Sequence, residues 1–455
     1  MTTDAVTQDV ATKYQRLIRS TQAENRIPAL SVAIHRADRP LWTMQVGSSG
    51  TDRPLDAETQ FRLGSVTKTF TAVLVMQCRD DGLLDLDDPI GDHVDVGQHS
   101  GLTIRRLISH TSGIQREPHG DVWDTLQAPD LDGLLADLEW TERVLPAGRR
   151  YHYSNLAVAL LGYLVGVKRN STWASVLQDR ILTPLGLATV TVQPTGAAAV
   201  GYLVDAYSDS ARAEEPVDTV AVAPAAQLWG APRDLAKWAA FLADPATVDP
   251  DGAVLSKASV EEMRWPLTVT DEHLWAAGFG LGLLLQPQGD RVMHVGHDGA
   301  MPGFLAGVYG RLGGDAPGAL GVAVLGSSGT AGAIVELPHK LLNLVVEADP
   351  AEIKPWVIAD PVPADYRSIL GRWWIEGSEV VLSWKDGTLQ MRVAEDAAGR
   401  PPSVFAPIEG ETDILRTVSG REAGERLRLT RDHTGAVIEM NHATYRLTRT
   451  QATFG

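Results

Sequence analysis

The stretch Phe61-Arg62-Leu63-Gly64-Ser65-Val66-Thr67-Lys68-Thr69-Phe70 decides how the chain is read. From Val66 to Arg79 the spacing predicts a helix, with Phe70, Val73, Leu74 and Gln77 recurring at three and four. Ser65 stands where that helix begins. At i and i+3, Ser65 and Lys68 project from one face. The Ser65 N–H is one of the unpaired donors of the first turn, in a positive field. A lysine beside a serine hydroxyl in a desolvated cleft can lose its proton and act as a base. Ser-x-x-Lys on its own is common, and a chance instance is a solvated helix face. The apolar turns that follow Lys68 make this one informative.

Two further stretches supply partners. Tyr151-His152-Tyr153-Ser154-Asn155 follows Pro146-Ala147-Gly148. A phenol near a lysine ammonium can have its pKa lowered and relay protons to and from a serine. An amide such as Asn155 offers a donor and an acceptor to orient lysine and substrate. Read alone, the stretch is a helix N-terminus capped by Ser154 or Asn155. The third stretch, His297-Asp298-Gly299-Ala300-Met301-Pro302-Gly303-Phe304, lies between two strand-like runs. Gly299 would let a substrate backbone approach an edge strand. The Ala300 N–H would join the Ser65 N–H as an oxyanion hole, which acyl transfer needs.

Other chemistries lack their signatures. No Walker phosphate loop occurs, and Gly278-Phe279-Gly280-Leu281-Gly282 reads as glycines in a packed strand. There is no His-Glu-x-x-His helix. His294 and His297 point to opposite faces of a strand, which speaks against joint metal binding. The Gly-x-Ser-x-Gly elbow of α/β-hydrolases is missing. With the single cysteine Cys78, neither an intrachain disulfide nor a cysteine zinc site can form. No metal or organic cofactor is implied.

The chain has 455 residues, enough for two or three domains. Its net charge of −17 argues against nucleic acid and anionic membrane partners. The first residues show no basic and apolar leader, and the apolar run 156–167 is too short to span a bilayer, which takes about 20 residues. A soluble, cytoplasmic protein is expected. From residue 361 onward there are 12 Lys+Arg against 13 Asp+Glu, so nearly all the acidity lies before that point. Pro350, Pro355, Pro361 and Pro363 mark a linker. The expected layout is a catalytic domain over 1–348, a linker over 349–364 and a β-domain over 365–455.

The first domain reads as α+β. A strand pair over Leu30–His35 and Leu41–Val46 comes first, and a mostly helical stretch runs from Thr103 to about Leu187. Strands return at Phe279–Leu285, Val292–Val295, Phe304–Val308 and Gly321–Leu325, and a closing helix covers Gly332–Glu347. The sheet is thus completed late in the chain. In the second domain, short alternating runs at 379–384, 388–393, 414–418, 426–430, 436–440 and 443–447 predict a closed eight-stranded antiparallel meander.

The three motifs, in this order, resemble those of the penicillin-binding-protein and class C β-lactamase superfamily of serine hydrolases. The likeness extends to Phe61–Phe70, Gly82–Pro89, Thr103–Gly113, Pro184–Leu187 and Arg233–Ala236, and covers roughly residues 10–348. It implies an antiparallel sheet with a helical domain, Ser65 as acylated nucleophile, and Lys68 and Tyr153 as proton-transfer groups. Asn155 would be a positioning residue, and His297 would line the cleft. The tail resembles the lipocalin-like barrel of D-aminopeptidases and penicillin-binding-protein-type thioesterases.

β-Lactamases and transpeptidases usually open the third motif with lysine. His297 stands here instead, as in D-aminopeptidases, some esterases and the thioesterases. The whole chain is most similar to the last group. That implies release and cyclisation of a nonribosomal peptidyl thioester from a carrier protein or synthetase, with a D-residue at the acylating carbonyl. The alternative is a D-aminopeptidase or carboxylesterase using the same acyl-enzyme. A binding protein with dead chemistry is disfavoured by the complete motif set. Trp229 and Gly230 are candidates for an apolar cleft wall. Arg431 and Arg446 are candidates to hold a peptide end, against the blander reading of rim salt bridges. His110, His152, Trp373 and Trp374 are expected to be structural, and Cys78 to fill a helix core.

Overall fold

Ala29–Arg36 is buried at seven of its eight positions, which suits a strand covered on both faces. The computed structural model, which describes residues 6–451 apart from 290, 315–317, 354 and 397–398, places it inside an eight-stranded antiparallel sheet. The order runs Trp42–Gly47, Ala29–Arg36, Leu320–Gly326, Phe304–Leu312, Val292–Met301, Leu284–Gly289, Gly278–Phe279, Thr268–Val269. The N-terminal hairpin therefore pairs with the strand formed near the end of this unit, in register Leu30↔Gly326 through Arg36↔Leu320.

One face of the sheet carries the helices Gln8–Glu24 and Ala333–Ala348, sealed by Tyr14, Ile18, Ile334 and Leu341. The other face carries the helix Pro232–Ala243 and, beyond it, the helical region. At the centre lies the helix Thr67–Asp80, whose residues 67–78 are all buried, Cys78 among them. Phe70 stacks on Trp238 at 4.0 Å between ring centroids, and the Trp238 indole N–H donates to Thr69 Oγ1 at 2.8 Å.

Two expectations need correction. The run Phe279–Leu285 is not one strand but the ends of two, joined by a tight turn in which Gly280 N–H donates to the Leu283 carbonyl. Gly282 adopts φ +77°, so the glycines serve the turn rather than a packed strand. In the tail, the runs at Gly371–Ile375 and Ser403–Pro407 are also strands. Their flanking Gly and Pro residues hid the alternation.

Residues 1–353 and 354–455 form two separate compact units. The second is a closed barrel of eight strands in sequence order, from Gly371–Ile375 to Tyr445–Thr448, closing through Trp374↔Thr448 and Ile375↔Leu447. Side chains fill its interior, among them Leu382, Leu389, Phe405, Leu427 and Met440, as small barrels require. Trp373 is fully buried there and donates to the Ile369 carbonyl at 2.6 Å.

The Phe70–Trp238 stack ties the nucleophile helix to the sheet side of the unit. Trp238→Ala is expected to destabilise the catalytic unit by about 3–5 kcal/mol in urea unfolding. A loss below about 1 kcal/mol would contradict this packing.

Candidate active site

Gly64 takes φ +52°, a left-handed conformation that turns the chain into the short 3-10 segment Gly64–Val66 ahead of the helix Thr67–Asp80. A Cβ on Gly64 would lie 2.6 Å from the Ala300 nitrogen. A Cβ on Gly299 would lie 1.9 Å from the Leu63 carbonyl oxygen. Gly299 is therefore needed so that strand Val292–Met301 can touch the start of the nucleophile helix. That close approach, rather than room for substrate, is what its missing side chain provides. It sets the backbones of Ser65 and Ala300 side by side.

Lys68 is buried and donates from Nζ to Ser65 Oγ at 2.9 Å and to the Ala225 carbonyl at 2.8 Å. Its pKa is held well below the ordinary lysine value. Burial is the main cause; Glu117 opposes the shift and Arg116 adds to it. The Tyr153 ring lies 4.7 Å from Lys68 Nζ, with the Arg116 guanidinium 4.8 Å away. Contrary to the expectation of a lowered phenol, burial pushes Tyr153 far up, with its hydrogen bond to Ser65 only partly opposing. Burial thus acts on both groups in the same sense, against the charged form of each.

The loop after the helix Ile104–Ile108 holds the second motif in place. His110 accepts the Ser154 N–H on Nδ1 at 3.2 Å, and its carbonyl accepts the His152 N–H at 2.7 Å. Its ring lies 4.5 Å from that of Tyr153. Ser154 caps the helix Asn155–Arg169 by accepting the Ala157 N–H at 3.0 Å. Asn155 Nδ2 donates to Glu117 Oε1 at 2.6 Å. Glu117 and Arg116 were not singled out from the sequence, because their contacts with Asn155 and Tyr153 link distant segments and leave no local pattern.

His297 is buried with its ring 6.1 Å from Tyr153. Burial first, and Lys68 next, bring its pKa down to about 3, so it stays neutral across physiological pH. Ser65, Arg116, Tyr151, Tyr153, His297, Asp298, Gly299 and Ala300 line one cavity of about 370 Å³. Trp229 and Gly230 are not part of that lining. Trp229 is buried edge-on against Phe304 with the Arg62 guanidinium 5.2 Å from its ring, and Gly230 pairs with Phe61. Both are packing residues. Within the barrel, Arg431 Nε donates to Asp413 Oδ1 at 2.6 Å, while Arg446 Nε lies 3.6 Å from Glu439 Oε2. These are the ion pairs of the blander reading.

Ser65 thus stands beside a buried lysine, whose charged form burial disfavours, and a phenol, in a cavity lined by residues of the antiparallel sheet. The family model described as Beta-lactamase matches residues 14–335, and the chain belongs to this family of penicillin-binding-protein-type serine hydrolases. Residues 362–449 match a domain of unknown function, DUF7586. The chain is 30% identical over 308 residues to penicillin-binding protein 4 of Amycolatopsis lactamdurans, covering 64% of this chain and 79% of that one. It also shares its fold with SurE, solved with D-Leu (TM-score 0.60, 23% identity, 98% of this chain and 100% of that one). The D-amino acid amidase from Ochrobactrum anthropi SV3, solved with D-phenylalanine, matches over 75% of this chain and 100% of its own (TM-score 0.61, 21% identity). Among the described residues no helix is long and apolar enough to cross a membrane.

Glu117 raises the Lys68 pKa through its charge. Glu117→Gln keeps the acceptor for Asn155 but removes that charge, so Lys68 should deprotonate at lower pH. The acid limb of kcat/KM against pH should therefore move to lower pH; an unmoved or raised limb would contradict the assignment of Lys68 as base.

Proposed function

We propose that the protein is a serine thioesterase that releases a nonribosomal peptidyl thioester and closes it into a ring. It would act in the cytoplasm on a peptide carried by a carrier protein or synthetase, with a D-residue at the acylating carbonyl. The observation that carries the acyl-enzyme is the 2.9 Å contact between Lys68 Nζ and Ser65 Oγ in a dry setting. Neutral Lys68 takes the Ser65 proton as Oγ attacks the thioester carbonyl. The N–H groups of Ser65 and Ala300 receive the oxyanion. The carbon–sulfur bond breaks, and the thiolate takes up the proton through Lys68 and Tyr153. The peptide's own amine then attacks the ester, and its surplus proton returns by the same groups to Ser65 Oγ.

Several observations support this reading. The neutral His297 replaces a fixed cation, which removes the usual anchor for a substrate carboxylate. Tyr151, Tyr153, Leu305 and Val335 give the cavity apolar surface, and excluding water favours an amine over hydrolysis. The likeness to SurE spans the barrel as well as the catalytic unit. The second reading, a hydrolase of D-amino acid derivatives, draws on the amidase likeness, which covers only 75% of the chain. The two differ only in whether an amine or water ends the acyl-enzyme.

A synthetic peptidyl thioester ending in a D-residue separates them. Mass spectrometry is expected to show a product one water lighter than the linear acid. Linear acid alone, across a range of peptide lengths, would favour the hydrolase. Ser65→Ala should lower either product roughly 10³-fold or more, and a variant that still turns over would end the covalent mechanism.

A further inference from the structure

The cavity around Ser65 is larger than this chemistry uses. Side chains alternate along the strand Val292–Met301. His297 faces Tyr153, so Asp298 faces the other side of the sheet, where the helix Ala333–Ala348 lies. The register agrees: Gly307 stands opposite Asp298, and a Cβ there would meet Pro338 and Val335. The neighbouring strand Leu284–Gly289 pairs only as far as Gly296↔Leu284. Past that point the strand Leu284–Gly289 no longer pairs with the third-motif strand. Asp298, Leu305 and Val335 line the same cavity as Ser65, Arg116, Tyr151, Tyr153 and His297.

Asp298 carries a charge that acylation and deacylation do not use. Its Oδ1 is shielded from water and has no hydrogen-bond partner. The nearby Tyr309 hydroxyl accepts from Gln286 Nε2 at 3.3 Å. Burial raises the carboxyl to about 6, with Tyr309 opposing, so its ionised form is short of a cation. His297 and His294 are held neutral by burial and do not supply one. The apolar walls Leu305 and Val335 strengthen any ion pair formed there.

We propose that Asp298 is a specificity-determining residue that binds a protonated amine of the substrate in the cavity it shares with Ser65. The inference rests on Ser65 being the acylated residue, as argued above. The ammonium group has two sources: the α-amine of a single acylating D-residue, which the hydrolase reading supplies, or an amine further along a peptide, which the cyclase reading supplies. Arg116 lines the same cavity, so it holds both signs of charge.

Three thioesters of D-phenylalanine test this: one with a free α-amine, one N-acetylated, and one acylated by Nα-acetyl-lysine. The wild-type protein should prefer one of the amine-bearing donors over the N-acetylated donor by tenfold or more in kcat/KM. Which one it prefers identifies the source. In Asp298→Asn that preference should fall to near one; as a ratio, it is insensitive to a general loss of activity. Asp298→Ser should give the same ratio, which covers the case where Asn disturbs the strand. Equal rates for all three donors in the wild type, or a preference that survives both substitutions, would overturn the proposal. Binding of the amide that matches the preferred donor, D-phenylalaninamide or Nα-acetyl-lysyl-D-phenylalaninamide, to Ser65→Ala, followed by calorimetry, needs no chemistry. It should weaken tenfold or more when Asp298→Asn is added. Amine binding without any Ser65 adduct in intact-mass spectra would sink the acyl-enzyme reading alone. Absent or unchanged amine binding would sink this one.

Discussion

The site depends on withdrawing Lys68 from water. An ammonium group in a low-dielectric interior is costly, and the cheapest escape is to release the proton. The fold enforces the withdrawal by placing Lys68 on a helix whose first three turns are buried on every side. A carbonyl from the Ala223–Ala226 segment meets the amine, so deprotonation does not strand it without a partner. The same burial keeps Tyr153 a phenol and His297 an imidazole. Burial thereby disfavours the charged forms of Lys68 and His297 beside the Ser65 hydroxyl.

What could be read from the sequence was what is local. Ser65 and Lys68 are one helical turn apart, so geometry follows from spacing. Ser154 as a cap and the apolar cycle through Phe70, Val73 and Leu74 are local in the same way. The barrel's alternation at 379–384 and 388–393 is a period-two signal on consecutive strands. The Asn155–Glu117 bond was not legible, because it joins residues 38 apart across a segment of short helices and turns with no common periodic pattern. Trp229 misled for a related reason: a large aromatic near a motif suggests a wall, but its face was already taken by Phe304 and Arg62. The glycines of 278–282 looked like a packed strand because a two-residue strand is too short to show a period.

The third motif illustrates how one residue can carry two constraints. Its glycine is required by the Leu63 carbonyl behind it, while the flanking His297 and Asp298 fall on opposite faces of the sheet. A strand delivers such a split automatically, since its side chains alternate. One face receives a ring that burial keeps neutral, and the other a carboxyl whose pKa burial raises.

The pairing of the N-terminal hairpin with the strand Leu320–Gly326 has a consequence for biosynthesis. The Ala29 N–H donates to Ser327 Oγ, a bond between residues 298 apart. On the ribosome Ala29–Arg36 can pair at once with Trp42–Gly47, but its other partner, Leu320–Gly326, is made only near the end of this unit. The strand that bears Ala300 is made late as well. Ser65 is thus synthesised long before the Ala300 backbone against which Gly64 packs, and the cavity they line is completed only when this unit is nearly finished.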